Sequence, residues 1–159
     1  RAELIRKGAD WKQTVENRQR MIKEVPHVDF YVSSTISAMN VLHVLDFHKE
    51  WTELGLIEAK DWNINICQSP DWYRPDIFPQ EFKDQVITPA YEKHISWLDP
   101  KDGLRRATVG FTSVLKLIQS HDNYSQWPEF ENQVAKLDTI RNENFWDTFP
   151  EYKELNGTA

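Results

Sequence analysis

The first half of the chain changes between strand-like and helix-like patterns of apolar residues. Residues 27 to 40 begin with β-branched and aromatic side chains after Pro26 and end in small hydroxylated ones, which predicts a buried strand that stops at a polar turn. Asn40 then precedes apolar residues at helical spacing, so we expect it to cap a helix that runs to about Leu54. Residues 61 to 67 alternate apolar and polar positions, which predicts a second strand.

A further helix precedes the first predicted strand. Asp10 is a suitable cap for a helix that runs to about Glu24 and carries its apolar residues on one side. The order helix, strand, helix, strand with short connections implies a right-handed crossover between parallel strands. Because two strands do not make a stable sheet alone, we expect the other strands to come from a missing N-terminal half or from a second copy of the chain.

The second half of the chain has the pattern of helices. Residues 70 to 80 form a proline-rich connection, and residues 79 to 98 predict one or two helices with a kink or a restart at Pro89. Asp99 and Pro100 predict the start of the next helix, as N-cap and first helical residue. The apolar residues that follow recur at helical spacing, so the remainder of the chain is predicted to be helical as well.

These patterns define the predicted fold class, which is α/β to α+β and mostly helical. We expect residues 1 to 75 to form an α/β segment and residues 76 to 159 to form a helical C-terminal extension. The 159 residues, of which 40% are hydrophobic, suffice for one globular domain or for a domain with a helical appendage.

Charge and cysteine content narrow the classes of partner and cofactor. The net charge of −6 and the scattered basic residues argue against a nucleic-acid partner. The single cysteine, Cys67, cannot form an intramolecular disulfide or a cysteine-rich metal site within this chain. No apolar run reaches the roughly 20 residues of a transmembrane helix and no signal-peptide pattern is present, so we expect no membrane partner and a cytoplasmic location.

The candidate chemistry of the chain is concentrated at the end of the first strand. Ser33, Ser34, Thr35 and Ser37 could line a polar pocket, since ligands of open α/β sheets bind at the carboxyl ends of strands. A hydroxyl-rich turn that satisfies its own backbone explains the same residues equally well. The sequence contains no glycine-rich phosphate loop and no nucleophile elbow, and we assign no catalytic and no metal-binding residue.

Several stretches of the chain resemble radical S-adenosylmethionine (radical SAM) enzymes. The stretches are Ile5-Arg6-Lys7-Gly8-Ala9-Asp10-Trp11, Val15-Glu16-Asn17, Ser33-Ser34-Thr35-Ile36-Ser37-Ala38-Met39-Asn40, Leu137-Asp138-Thr139-Ile140-Arg141-Asn142-Glu143-Asn144-Phe145 and Phe149-Pro150-Glu151. They look like the C-terminal half of this family's partial barrel, in the group with a twitch or SPASM-like extension. The similarity covers nearly the whole chain, but it does not include the cluster-binding cysteine motif.

The resemblance implies a fragment of a partial (β/α) barrel with two parallel strands, followed by a helical extension. The barrel's fourth helix, fifth strand, fifth helix and sixth strand would be residues 9 to 25, 28 to 36, 40 to 55 and 62 to 68. For the full-length parent it implies reductive cleavage of S-adenosylmethionine at a [4Fe–4S] cluster. This chain lacks the cysteines for that cluster, so we expect it to hold no cofactor alone and to be inactive alone.

The resemblance also implies a set of binding residues. Ser33 and Thr35 would make polar contacts with the nucleoside of S-adenosylmethionine, and Ile64 or Ile66 would pack against its adenine. The chain would therefore contribute part of the cofactor and substrate pocket once joined to its missing N-terminal half. Because the sequence starts at Arg1 without an initiator methionine, we expect it to be a piece of a longer protein.

Two other functional classes stay open at this point. In the first, the chain is a non-catalytic interaction or scaffold domain that self-associates, with strands that pair across a homodimer and a tryptophan-rich face that binds a partner. In the second, it is an enzyme with an unrecognised active site at the ends of the two strands. An exposed sheet edge tends to pair with another chain, so we expect a homo-oligomer.

Overall fold

The N-terminal part of the chain forms two helices before the first strand. The computed structural model of the chain describes residues 1 to 155. Helix α1 spans Ala2–Ile5 and helix α2 spans Trp11–Glu24. The Asp10 side chain accepts a hydrogen bond from the backbone N–H of Gln13 at 2.9 Å, so the predicted cap of α2 is confirmed.

The sheet consists of two parallel strands joined by one helix. Strand β1 spans Val32–Ile36, helix α3 spans His43–Glu53 and strand β2 spans Trp62–Ile66. The two strands pair in parallel, from Val32 beside Trp62 to Ile36 beside Ile66. The predicted pair of neighbouring parallel strands is therefore confirmed, but the predicted start of the first strand at residue 28 is wrong, because β1 begins at Val32. The part of the chain that the structure describes contributes no third strand.

The remaining described residues form helices and short turns, as the sequence pattern predicts. The α-helices are α4 (Gln80–Phe82), α5 (Thr88–Leu98), α6 (Arg106–Ser120), α7 (Trp127–Arg141) and α8 (Phe145–Thr148). A π-helical turn at Lys83–Ile87 joins α4 to α5. Three 3₁₀ turns lie at Asp71–Tyr73, Tyr124–Gln126 and Pro150–Leu155. Residues 156 to 159 of the predicted helical extension lie outside the described residues.

The start of α6 differs from the predicted one. The sequence predicts a helix start at Asp99 and Pro100, and this prediction is wrong, because α6 begins at Arg106. The buried Asp102 carboxylate accepts hydrogen bonds from the backbone N–H groups of Thr108 at 2.8 Å and Arg106 at 3.2 Å. An internal carboxylate thus satisfies the free N–H groups of the helix start, which leaves the preceding residues as turns.

The core joins the α/β segment to the helical half of the chain. Phe111 of α6 packs against His48 of α3 and Tyr91 of α5. A second aromatic group consists of Phe78, Trp127, Phe130, Phe145 and Tyr152. Both groups belong to one hydrophobic cluster that reaches from Leu4 to Leu155.

The fold class follows from these elements. The described chain is mostly helical with a small two-stranded parallel sheet, which is an α+β architecture and agrees with the predicted class at that level. Two strands do not by themselves show a partial barrel. Among the described residues, no helix combines the length and the apolar character needed to cross a membrane.

Candidate functional site

The two faces of the sheet have opposite character. Side chains alternate along each strand, so every second residue lies on the same face. The face that packs against helices carries Val32, Ser34, Ile36, Trp62, Ile64 and Ile66. The opposite face, here called the polar face, carries Ser33, Thr35, Asn63 and Asn65, all of them exposed. The Asn65 side chain donates a hydrogen bond to the Ser33 hydroxyl across the strands at 3.0 Å.

The predicted binding residues are divided between these two faces. Ser33 and Thr35 lie together on the polar face. Ile64 and Ile66 lie on the other face, where Ile64 meets α6 so closely that a Cβ atom added at Gly110 would be 2.9 Å from its Cδ1 atom. The structure therefore brings Ser33 and Thr35 together and separates them from both isoleucines. The physical reason is that successive side chains of a strand point to opposite faces, so odd-numbered and even-numbered residues are separated.

Asn63 and Asn65 share the polar face but are absent from the predicted set of binding residues. Each lies beside a predicted residue in the strand pairing, Asn63 beside Ser33 and Asn65 beside Thr35. The alternation that predicts β2 also contains the signal for them, since the polar positions between its isoleucines must face the other side. The polar face thus offers two hydroxyl and two carboxamide groups to a ligand.

The turn after β1 is held by its own side chains. The Asn40 carboxamide accepts a hydrogen bond from the Ser37 backbone N–H at 2.8 Å and donates one to the Thr35 carbonyl at 3.0 Å. The Ser37 hydroxyl accepts from the Met39 backbone N–H at 3.3 Å. The prediction that Asn40 caps the next helix with its side chain is wrong, because α3 begins only at His43 and the Asn40 side chain reaches back to the strand end.

The four hydroxyl groups of the predicted polar pocket therefore have different environments. Ser37 stabilises the turn, and the Ser34 hydroxyl accepts a hydrogen bond from the indole N–H of Trp62 at 3.0 Å on the helix-covered face. Ser33 and Thr35 are exposed and lie on the polar face. Of the two explanations left open by the sequence, the self-satisfied turn applies to Ser37, and a ligand contact stays a prediction for Ser33 and Thr35.

The outer edge of β1 has no neighbouring strand among the described residues. The hydrogen bonds from the Val32 N–H to the Asp61 carbonyl, at 2.9 Å, and from the Cys67 N–H to the Ile36 carbonyl, at 2.8 Å, fix the ladder between the strands. In this parallel register the backbone groups of Ser33 and Thr35 point away from β2. No Asp, Glu, Lys or Arg occurs from residue 30 to residue 45, so no charge protects this edge against pairing.

Two buried histidines lie beneath the helix-covered face of the sheet. His48 Nδ1 and His94 Nε2 are 3.0 Å apart, and His48 Nε2 is 3.0 Å from the Ala59 carbonyl oxygen. Since a carbonyl oxygen only accepts, His48 Nε2 donates to it, His48 Nδ1 accepts, and His94 Nε2 donates to His48. Burial lowers the pKa of His48 to about 4, although the Ala59 hydrogen bond and Asp102 act in the opposite direction.

The same pair keeps His94 neutral. Burial, together with the neighbouring His48 and Lys49, lowers the pKa of His94 to about 3. A proton on His48 Nδ1 would also place its N–H against the N–H of His94 in the 3.0 Å contact. The pair is therefore a neutral structural element under the sheet, and its burial keeps it away from solvent and from the polar face.

An open groove of about 1340 Å³ lies at the amino ends of the strands, opposite to the predicted pocket. We call it the amino-end groove. Its apolar lining includes Ile22, Val28, Leu104 and Val109. The Arg18 guanidinium lies 3.8 Å from the centre of the Phe30 ring in its wall and donates a hydrogen bond to the Leu56 carbonyl at 2.7 Å.

Neither a search for metal-binding clusters nor a comparison with known proteins identifies the site further. Within residues 1 to 155, no group of three or more His, Cys, Asp or Glu side chains is arranged to hold a metal ion. Comparison of the chain with protein-family models, with curated proteins and with solved structures yields no match.

Proposed function

We propose that this chain is the C-terminal part of a radical SAM enzyme and contributes one wall of its S-adenosylmethionine and substrate pocket. The observation that carries the proposal is the exposed polar face of a parallel sheet whose other face is covered by helices. In a (β/α) barrel the helices surround the sheet and the opposite face lines the interior. Ser33, Thr35, Asn63 and Asn65 would then face that interior.

The position of the helices agrees with this arrangement. Trp11 of α2 packs against Phe47 and Trp51 of α3, with ring centres 5.2 and 5.6 Å apart. Phe47 in turn contacts Trp62 on the helix-covered face of the sheet, with ring centres 4.9 Å apart. Helices α2 and α3 therefore lie on one side of the sheet, as successive helices of a barrel do.

The unpaired edge of β1 would receive a strand from the preceding part of the parent protein. The backbone groups of Ser33 and the N–H of Thr35 are directed outward, whereas the Thr35 carbonyl already accepts a hydrogen bond from Asn40. The strand carries no charge, so a neighbouring strand could pair without burying an unpaired ion. The missing N-terminal half is thus the proposed partner of this edge. The wider assignment to a partial barrel rests on this partner.

The residues of this chain fit the nucleoside better than the cluster. With Cys67 as its single cysteine, the chain cannot ligate a [4Fe–4S] cluster, so the cysteines must come from the missing half. Bound at such a cluster, S-adenosylmethionine supplies the radical that abstracts hydrogen from a substrate. The exposed hydroxyls of Ser33 and Thr35 would bind and orient the nucleoside by hydrogen bonds. Ile64 and Ile66 would instead hold the strand against the helices, because they lie on the other face.

Alanine substitution on the polar face should weaken cofactor binding in the full-length parent. A hydrogen bond contributes about 0.5–1.5 kcal/mol, so Ser33→Ala and Thr35→Ala should each raise the Kd for S-adenosylmethionine by about three- to tenfold. Isothermal titration calorimetry of the reconstituted protein measures this change. Ser34→Ala is the matched control, because Ser34 lies in the same strand but on the helix-covered face.

Unchanged cofactor affinity in both Ser33→Ala and Thr35→Ala would contradict the assignment of the polar face. An equal loss in Ser34→Ala would contradict it as well, since the effect would then come from a distorted strand. Circular dichroism of each variant provides the check that the fold is retained.

A non-catalytic interaction domain that self-associates is the second candidate function. Exposed apolar side chains around the amino-end groove and the unpaired edge of β1 favour it. Such side chains on a protein surface mark sites of association with another protein. The partner would then be a second copy of this chain, and no cofactor would be required.

A further inference from the structure

Two side chains of the polar face form one hydrogen-bonded unit across the strands. The Asn65 Nδ2 group donates a hydrogen bond to the Ser33 Oγ atom at 3.0 Å. The two residues are diagonal neighbours, since Asn65 lies beside Thr35 in the strand pairing and Ser33 lies beside Asn63. Their bond therefore joins β1 to β2 on the exposed face, in addition to the backbone ladder. We call this pair the Ser33–Asn65 unit.

The hydrogen bond determines which atoms of the unit are available to a ligand. A hydroxyl that accepts a bond from a carboxamide keeps its own hydrogen, so the Ser33 O–H can donate outward. The Nδ2 group of Asn65 is directed to Ser33, and its side chain makes no other hydrogen bond within the described residues. The Asn65 Oδ1 atom is then available as an acceptor. The unit thus presents one acceptor beside one donor.

The polar face around the unit is uncharged. Its side chains belong to Ser33, Thr35, Asn63 and Asn65. Recognition of a phosphate or a carboxylate usually relies on arginine or lysine, and these four residues include neither. A carboxamide instead distinguishes neutral planar groups by the order of their hydrogen-bond donors and acceptors, as asparagine does with adenine in nucleic acids.

We propose that the Ser33–Asn65 unit recognises a neutral planar group with a hydrogen-bond donor beside an acceptor, and that this group is the adenine edge of S-adenosylmethionine. Asn65 Oδ1 accepts from the exocyclic amino group, and the Ser33 hydroxyl donates to the adjacent ring nitrogen. Asn65 is also a positioning residue, because its Nδ2 group sets the direction of the Ser33 hydroxyl. This inference rests on the proposed radical SAM function and assigns a nucleobase contact within its pocket.

The fixed polarity of the unit is the reason for choosing the adenine over the rest of the cofactor. Ribose hydroxyls both donate and accept, so they do not require an acceptor and a donor in a set order. The amino acid end carries an ammonium and a carboxylate, for which the polar face offers no opposite charge. Adenine carries an amino group that donates next to a ring nitrogen that accepts, which is the complement of the unit.

A comparison of two cofactor bases tests this recognition in the full-length parent. S-inosylmethionine has a carbonyl oxygen in place of the exocyclic amino group, so it would set an acceptor against Asn65 Oδ1. Its Kd should exceed that of S-adenosylmethionine by at least about tenfold in isothermal titration calorimetry. In Asn65→Ala the two Kd values should differ by less than about threefold, because the acceptor is gone.

Asn63→Ala is the matched control for this comparison. Asn63 lies on the same strand and the same face, but its side chain makes no hydrogen bond to Ser33. The preference for the adenine base should therefore be retained in Asn63→Ala. Both asparagines are exposed, so neither substitution should disturb the fold, which circular dichroism checks.

A double-mutant cycle tests whether the two side chains act together. Ser33→Ala and Asn65→Ala should each raise the Kd for S-adenosylmethionine by about three- to tenfold. The double variant should exceed the weaker-binding single variant by less than about threefold, because either change alone already breaks the unit. The effects of Ser33→Ala and Asn63→Ala should instead multiply to within about twofold.

The outcomes separate this inference from the function on which it rests. Equal Kd values for the two bases in the unmodified parent would overturn recognition of adenine by the unit. Independent effects of Ser33→Ala and Asn65→Ala would overturn the positioning role of Asn65. Either result leaves the proposed pocket in place if Ser33 and Thr35 are still needed for binding, whereas full affinity without both hydroxyls would contradict the pocket itself.

Discussion

Replacement of Phe111 by alanine is expected to lower the free energy of unfolding by about 3–5 kcal/mol. Phe111 is fully buried and stacks on His48, with ring centres 5.3 Å apart and an interplanar angle of 22°. Its ring also meets the edges of His94 at 4.7 Å and Tyr91 at 6.1 Å. The side chain therefore holds α6 against α3 and α5, and its removal would leave a cavity between the three helices.

Urea unfolding followed by circular dichroism measures this loss. Phe111→Leu is the matched comparison, because it keeps much of the side-chain volume. It should lower the free energy of unfolding by less than about half of the loss in Phe111→Ala. Ile140→Ala, at an exposed position, should change stability by at most about 0.5 kcal/mol. A loss below about 1 kcal/mol in Phe111→Ala would contradict the packing of α6 over the sheet.

Acid is expected to destabilise the protein strongly through the buried histidine pair. Histidine in the unfolded chain has a pKa near 6.5, whereas the folded chain holds the pKa of His48 at about 4 and that of His94 at about 3. Below pH 6.5 the unfolded state therefore binds more protons than the folded state, and the free energy of unfolding falls with pH. The two groups together should remove about 3–4 kcal/mol between pH 7 and pH 5.

Equilibrium unfolding in urea at pH 7, 6 and 5 tests this dependence. His94→Gln removes one of the two titrating groups and keeps a side-chain amide that can donate to His48, so about half of the pH-dependent loss should remain. The stabilisation is expected to be fully present well above pH 6.5 and to be lost progressively as the pH falls through the folded-state pKa values of about 4 and about 3. A free energy of unfolding that stays within about 1 kcal/mol from pH 7 to pH 5 would contradict a neutral pair in the folded protein.

The strands could be predicted from the sequence because their signals are local. Alternation of Trp62, Ile64 and Ile66 with polar residues indicates β2, and the dense apolar run before Ser33 indicates β1. Their parallel pairing follows from the short connections around α3. These features depend on residues close together in the chain, and the structure confirms both strands and their pairing. Most of the apolar run nevertheless precedes β1, which begins at Val32.

The helix starts were harder to predict because distant or alternative hydrogen bonds decide them. Asp99 and Pro100 have the sequence of a helix start, yet the buried Asp102 carboxylate provides the acceptor for the first turn of α6. Asn40 has the sequence of a cap, yet its carboxamide bonds to Ser37 and Thr35 instead. The choice between such acceptors depends on burial, which the local pattern does not contain.

The candidate site could be predicted only in part. The hydroxylated residues of β1 are evident in the sequence, and the structure places Ser33 and Thr35 exposed on one face, where a ligand contact stays a prediction. The period of two residues already implies that Ile64 and Ile66 face the opposite side, together with Trp62. The histidine pair could not be anticipated, because His48 and His94 lie in different helices and meet only through the packing of α3 against α5.

The coding sequence upstream of the codon for Arg1 tests the central proposal most directly. We expect an open reading frame that continues through roughly 100 further residues with three closely spaced cysteines, which are the ligands a [4Fe–4S] cluster needs. Those residues would also supply the strands that pair with the free edge of β1. A start codon directly before Arg1 would contradict the radical SAM proposal and leave the self-associating domain as the function of this chain.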